Sequence, residues 1–405
     1  MRPFEGRRIL LGITGGIASY KSVMVARQLT QAGAEVDVIM TRAAQEFVGG
    51  ITFEAVTGRR VHTEIFGPGN ALDHITLARD AVLFVVAPAT ADFLARAAHG
   101  MADDLLTAAL LANTSPVLLV PAMNDRMWAN AQTRQNIQQL RKLGYSVLEP
   151  EEGPLAVGEG SGPGRMPEPE SIVAEISRML EKTGSLIGRN VVVTAGATRE
   201  TIDPVRFISN HSTGKMGVAI AHAAWRRGAS VTLISGHMDV AAPHGVHLVT
   251  ANSVADMKVA IEKKLPSADV LIMAAAPADF RPANPAPRKI KKATRTGAKP
   301  APIELTETED ILRSTMSSRK PGAVIVGFAL ETEDLIANGA IKLDAKGLDM
   351  VIANSAVDEG TGFGGDTNRV TILTPGGGAE EISMMQKAEL ADVILDRVET
   401  VLNGR

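Results

Sequence analysis

The feature that most limits what this chain can fold into is a repeating unit of strand, turn and helix that begins almost at the first residue. Arg8–Ile13 (RILLGI) is a short apolar run, glycines 12, 15 and 16 supply a turn, and a helical pattern follows over about 17–32. Glu35–Met40 (EVDVIM), residues 81–87 (AVLFVVA) and Val117–Pro121 repeat the strand pattern, with helical stretches at 90–98 and 103–112. Short apolar runs alternating with helical segments predict a parallel sheet with helices on both faces. Ligands in such sheets sit beyond the carboxyl ends of the strands, so the residues just after each run are the candidates for chemistry.

The rhythm breaks at 151–169, which holds five glycines and four prolines. A helix over about 169–182 closes the first unit, and TGSLIGR at 183–189 reads as a linker. From Asn190 the rhythm restarts with VVVTAG, a helix over 217–227 and strands at 230–235 and 268–274. At 405 residues the chain suits two domains, 1–182 and 190–405. The expected fold is α/β, with two doubly wound, Rossmann-like parallel-sheet domains in tandem. The halves do not look alike, which points to fusion rather than duplication. Residues 277–302 carry six prolines and seven Lys or Arg, a composition that predicts a mobile flap without packed strand or helix.

Composition excludes several classes. A net charge of −3 gives nucleic acid no bulk attraction, and no apolar run approaches the roughly 18 residues that span a bilayer. The start, MRPFEG, lacks a signal-peptide layout. The chain has no cysteine, so disulfides and thiolate metal sites are excluded, and a cytoplasmic enzyme is expected.

The first turn, Gly12-Ile13-Thr14-Gly15-Gly16-Ile17-Ala18, opens a helix. Glycines there let the backbone approach a phosphate, and the helix start supplies N–H donors. The spacing does not match G-x-G-x-x-G, which sets nicotinamide dinucleotides aside and leaves an ordinary tight turn as the other reading. In a second strand-to-helix turn, Ala87-Pro88-Ala89-Thr90-Ala91, Thr90 is placed for capping or phosphate contact. His74 precedes a later strand, and PAMNDRMW (121–128) brings Met123 and Asn124 to another strand end.

Four segments in this order, TGGIASYK (14–21), DHITLARD (73–80), APATAD (87–92) and PAMNDRMW, resemble the flavin-dependent cysteine decarboxylase family. The resemblance implies a flavodoxin-like first domain that assembles as trimers or higher, with FMN between subunits. It places an acid/base role on His74 and the hold on the substrate carboxylate on Asn124. Contacts to FMN fall on Gly15, Gly16, Ala18, Thr41, Thr90 and Met123. Oxidising the substrate's CH₂SH to a thioaldehyde creates the electron sink that lets CO₂ leave, and the resulting ene-thiol needs a hydride and a proton. Residues 153–169 resemble the family's clamp, whose pattern G-x-L-A-C-G carries the proton-donating Cys. This chain reads Gly153-Pro154-Leu155-Ala156-Val157-Gly158, and Val157 has no proton to give. Three readings follow: the domain stops at the ene-thiol, another group or water donates, or Val157 is an engineered or unusual substitution.

In the second half, Ser212-Thr213-Gly214 leads into a helix and makes a phosphate cradle. Gly214-Lys215 lacks P-loop spacing, since Ser209 stands at the first glycine position. MAAAPADFR (273–281) puts Asp279 at a strand end, where one protein carboxylate plus phosphates suits Mg²⁺. KIKK at 289–292 offers ammonium groups to a triphosphate, or is a solvated basic loop; Phe280 alone offers stacking, which disfavours nucleic acid. GFALET (327–332) reads as a turn at another strand end, and Lys342 and Lys346 share a helix face.

DPVRFISNHSTGKMG, AAAPADFR, KIKK, GFALET, KLDAKGLDMVIAN and GFGGDTNRV together resemble the bacterial-type phosphopantothenate–cysteine ligase over about 188–399. The resemblance implies that CTP activates the carboxylate of 4′-phosphopantothenate as an acyl-cytidylate, and that the amine of L-cysteine then forms the amide. It places Asn210 at the acyl-nucleotide, Lys289 in activation and Asp279 at Mg²⁺ and the nucleotide. Ala275, Phe328, Lys342 and Lys346 join Asp279 and Lys289 in binding CTP, and the ligase is expected to be a dimer. The expected function is coenzyme A biosynthesis by a homo-oligomer that ligates and then decarboxylates to 4′-phosphopantetheine. The alternative is an active ligase whose flavin domain stalls or serves assembly. No nucleic-acid or membrane partner is expected. A two-domain dehydrogenase lacks its nicotinamide fingerprint, and a flavoprotein that only binds partner enzymes has no use for the ligase motifs.

Overall fold

The computed structural model describes residues 3–67, 69–155, 158, 160–181, 186–290, 302–331, 333–355 and 364–405. The chain divides into two units, 1–181 and 182–405.

The sheet of the first unit is built from β1 (Arg8–Ile13), β2 (Glu35–Met40), β3 (Val61–His62), β4 (Leu83–Ala89), β5 (Val117–Pro121) and β6 (Ser146–Val147). Their order is β3-β2-β1-β4-β5-β6, and every pairing is parallel. Alternation along β1 decides which core each side chain enters. Ile9, Leu11 and Ile13 face a layer with Val25, Leu29, Phe53 and Ile172, while Leu10 faces Phe84, Phe93, Leu106 and Leu140. Burial on both faces is what a continuous apolar run requires. The order reverses between β1 and β4, so a crevice opens beyond their carboxyl ends.

The glycine- and proline-rich stretch after β6 is not formless. Glu151–Pro154 (β7) and Ser161–Arg165 (β8) pair antiparallel as a hairpin. Cross-strand backbone bonds hold it, and these leave no trace in apolar periodicity.

The second unit carries an eight-stranded sheet: β9 (Asn190–Ala195), β12 (Ser230–Ser235), β13 (His247–Thr250), β14 (Val270–Met273), β17 (Val324–Glu331), β18 (Met350–Ser355), β19 (Thr367–Thr374) and β20 (Gly378–Gln386). Two small hairpins lie outside it, β10 (Arg199–Asp203) with β11 (Arg206–Ser209) and β15 (Phe280–Pro282) with β16 (Leu305–Glu307). The order β13-β12-β9-β14-β17-β18-β19-β20 is parallel through β18 and antiparallel beyond it. The expected all-parallel sheet is thus a mixed one, because the last two strands are joined by a hairpin rather than a helical crossover. The helix expected over 217–227 spans Lys215–Arg226. GFALE is the second half of β17 rather than a turn: Gly327 through Glu331 pair with Val351 through Ser355. Pro282 ends a short strand inside the stretch expected to hold none, paired with Leu305. Among the described residues no helix is long and apolar enough to cross a membrane.

Candidate active sites

In the first unit a cavity of about 450 Å³ opens at the β1/β4 reversal. The turn after β1 gives it Gly15, Gly16 and Ala18; the end of β4 gives Thr90, and the end of β5 gives Met123 and Asn124. Thr14 ties two of these strand ends together. Its hydroxyl donates to the Pro88 carbonyl at 2.7 Å and accepts the Thr90 N–H at 3.1 Å. The Thr90 hydroxyl oxygen caps the following helix at Phe93 N–H, 3.3 Å away, and the Asn124 side-chain oxygen caps the helix Asp125–Ala129 at Arg126 N–H, 2.9 Å away.

The β7–β8 hairpin closes one side through Pro154, Leu155, Gly164 and Arg165. The Met123 N–H donates to the Gly164 carbonyl at 3.0 Å, and a Cβ on Gly164 would sit 2.2 Å from the Met123 carbonyl oxygen. At φ +145° this position needs glycine for space and conformation alike. Ile17, Ala18, Pro88, Ala122, Met123 and Met127 form apolar walls suited to a flat ring system, and the 15–16 turn suits a phosphate. A flavin mononucleotide fits this combination.

Two expected residues lie off the cavity lining. Thr41 stands behind the glycine turn, where its hydroxyl accepts from Ala44 N–H at 3.2 Å. His74 sits in the first turn of the helix Asp73–Asp80, with a buried Nδ1 that finds no partner among the described residues. Its neighbours Leu72 and Ile75 are exposed. Val157 lies outside the described residues.

The second unit holds two adjoining cavities beyond the end of β14 and beside the second half of β17. One, of about 390 Å³, is lined by Asp279, Phe328, Lys342 and Lys346 with the carboxylates of Glu307, Glu309 and Asp310. The Lys346 ammonium lies 2.9 Å from Asp310 and the Lys342 ammonium 2.6 Å from Glu331. Burial works against ionisation of Asp310, yet hydrogen bonds from Lys346 and the Arg313 backbone hold its carboxyl below the usual range. Among the described residues no three His or acidic side chains converge as a metal cage. A Mg²⁺ held by Asp279 and phosphate oxygens needs no such cage.

The other cavity, of about 250 Å³, runs from Ser212 to Gly217 at the start of the helix Lys215–Arg226 and on to Asn354, Asn368 and Lys387. Ala275, Pro277, Asp279 and Phe328 line both cavities and form the seam between them. The Asn210 amide donates to the carbonyls of Ala276 and Pro277, each at 3.0 Å, and so sits against that seam. Lys289 is exposed and lines neither cavity; Lys291, Lys292, Arg295 and Lys299 lie outside the described residues, as do Thr332, Gly362 and Phe363.

Sequence reasoning missed Lys387. It is 7% exposed, its ammonium donates to the Gly365 carbonyl at 2.7 Å, and Lys215 beside it bonds Asp366 at 2.7 Å. Burial pushes the Lys387 ammonium down, Lys215 adds to that, and Asp366 opposes it. Asn354 and Asn368 lay within quoted motifs, but nothing in the sequence flags a lysine at the start of the last helix.

Residues 2–181 match the family model described as Flavoprotein, and residues 186–402 match the DNA/pantothenate metabolism flavoprotein C-terminal domain. The chain is 46% identical over 414 residues to the coenzyme A biosynthesis bifunctional protein CoaBC of Mycobacterium tuberculosis, covering 98% of this chain and 97% of that one. It is 43% identical over 399 residues to the protein of the same description from Bacillus subtilis, covering 97% of each. A crystal structure of the C-terminal domain of such a protein is 34% identical and covers 55% of this chain and 100% of that one, at a TM-score of 0.46.

Proposed function

This chain belongs to the family of coenzyme A biosynthesis bifunctional proteins, which join a flavoprotein decarboxylase to a ligase, and we propose how its two units divide the work. The second unit ligates 4′-phosphopantothenate to L-cysteine at the expense of CTP. The seam shared by its two cavities carries this reading. The Asp279, Phe328, Lys342 and Lys346 cavity takes CTP, with Ala275 at the seam. The adjoining cavity takes the acid, its phosphate toward the start of the helix at Lys215 and its carboxylate at the seam.

The carboxylate oxygen attacks the α-phosphorus of CTP there, and the bond to the β-phosphate oxygen breaks to release pyrophosphate. Asp279 would hold Mg²⁺, which would supply charge stabilisation to the departing pyrophosphate, and Lys289, Lys342 and Lys346 offset the charge that builds on it. Asn210, fixed on two carbonyls, orients the acyl-nucleotide. The cysteine amine then adds to the acyl carbon, the bond to CMP breaks, and the amide remains.

The first unit decarboxylates that product. FMN, when bound, accepts a hydride from the substrate and later returns it. Gly15, Gly16, Ala18, Thr90 and Met123 would hold it, with Thr41 outside the lining, and Asn124 would hold the substrate carboxylate. His74 takes the thiol proton from its place off the cavity, which calls for a homo-oligomer in which one copy's His74 serves another's cavity. The exposed Leu72 and Ile75 beside it suit such a contact. Val157 favours a second reading, release of the ene-thiol, since losing a positioned acid costs about 10²–10⁴-fold.

The test is pyrophosphate release without cysteine. The protein given CTP, Mg²⁺ and 4′-phosphopantothenate releases up to one pyrophosphate per ligase site, and Asp279→Asn does not. Equal release by that variant, or none by the parent, rejects the assignment.

A further inference from the structure

The Asp203 side chain is fully buried, and its two carboxylate oxygens have different partners. Oδ1 accepts the backbone N–H groups of Val205 at 2.9 Å and Arg206 at 3.0 Å, which closes the turn between β10 and β11. Aspartates commonly do this in tight turns, and nothing more is needed to explain that oxygen. Oδ2 accepts Nε of Arg206 at 3.0 Å and, from 87 positions along the chain, the backbone N–H of Ile290 at 3.1 Å. Arg206 in turn donates a guanidinium N–H to the Ile290 carbonyl at 3.0 Å. One carboxylate–guanidinium pair therefore holds both backbone polar groups of Ile290. Four residues earlier, the Ala286 N–H donates to the Ile202 carbonyl at 2.9 Å. Lys289 is thus bracketed by two points fixed to β10.

We propose that Asp203 is a positioning residue for Lys289: by gripping Ile290 through Oδ2 it fixes the backbone from which the Lys289 ammonium reaches the forming acyl-nucleotide. The proposal rests on the role given to Lys289 above. A lysine carries a point charge on a long, freely rotating stem, so a fixed base removes much of the freedom it must lose to act. The grip is charge-assisted at its carboxylate end. The Arg206 hydrogen bond, helped by backbone N–H groups, holds the Asp203 carboxyl far below the usual range, so Oδ2 remains an acceptor at any working pH.

Asp203→Asn separates the two jobs, because the amide keeps one acceptor oxygen for the turn and presents NH₂ toward the Ile290 N–H. Loss of the Oδ2 acceptor shared by the Ile290 N–H and the Arg206 guanidinium predicts that amide exchange at Ile290 and tryptic cleavage after Lys289 both rise about 10- to 100-fold. The kcat of pyrophosphate release falls by the same order, while KM for CTP and the acid changes less than about threefold. Lys289→Gln serves as the second background. There, a residue that acts through Lys289 has almost nothing left to affect, so adding Asp203→Asn costs less than about twofold.

The outcomes separate cleanly. Full pyrophosphate release by Lys289→Gln alone overturns the role of Lys289. A slow Lys289→Gln whose rate Asp203→Asn lowers as much as it lowers the parent makes Asp203 merely structural. Unchanged exchange at Ile290 in folded Asp203→Asn overturns the grip. Should Asp203→Asn fail to fold, Ile290→Pro removes the donor while keeping Asp203 and its turn. That variant is expected to show the same fall in kcat, and full activity overturns the proposal.

Discussion

The Lys21 ammonium lies 2.7 Å from the Met166 carbonyl oxygen, across 145 positions of sequence, and is 5% exposed. It also pairs with Glu168 at 3.1 Å, so the helix Ser19–Gln31 holds the chain just beyond β8. Lys21→Met strands a buried carbonyl and removes this tie. We expect the first unit to lose about 2–4 kcal/mol by denaturant titration and to release flavin more readily, with pyrophosphate release by the second unit unchanged. A loss below about 0.5 kcal/mol contradicts the tie.

Gly164→Ala tests the closest approach in the flavin cavity. Its Cβ would meet the Met123 carbonyl at 2.2 Å, so the hairpin must shift away from Asn124. Flavin affinity, read by ultrafiltration and absorbance, should fall about tenfold or more, equivalent to roughly 1.4 kcal/mol. Unaltered retention shows that the hairpin does not shape the site.

Lys387→Met removes a buried cation from the cavity assigned to the acid. Its KM for 4′-phosphopantothenate should rise about 10- to 100-fold while KM for CTP stays within about threefold. The reverse pattern exchanges the two cavities.

His222 is held neutral mainly by burial, with Arg226 pressing the same way, Asp392 opposing and His244 adding a little; its pKa is lowered from 6.5 to about 4. Between those values the unfolded chain binds a proton that the folded unit does not. The stability contributed is therefore full above about pH 6.5 and declines toward pH 4, by on the order of 3 kcal/mol. Urea unfolding of the second unit at pH 7 and pH 4.5 should show that decline, and His222→Gln should flatten it. Identical slopes in parent and variant remove His222 from the account.

Much of this was legible because β1, β4, β5 and β14 are apolar runs that end directly in turns lining the cavities. Asn124, Thr90 and Asp279 could be placed by sequence for that reason. The β7–β8 hairpin was not, since Gly153 and Gly162 pair through backbone and show no side-chain pattern. Lys387 was hidden for another reason. The antiparallel β19–β20 pair returns the chain to the cavity, and no local signal marks where its last helix begins. His74 is different again: its motif marks it as a site residue, but the sequence carries no sign that it stands off the cavity lining of its own unit.

The most direct measurement supplies the flavin-loaded protein with 4′-phosphopantothenate, CTP, Mg²⁺ and cysteine and follows products by mass. The account predicts one pyrophosphate per amide formed, followed by loss of CO₂ to give 4′-phosphopantetheine, or the ene-thiol if Val157 is not bypassed. Absence of both pyrophosphate and amide, or an amide that never loses CO₂, contradicts it.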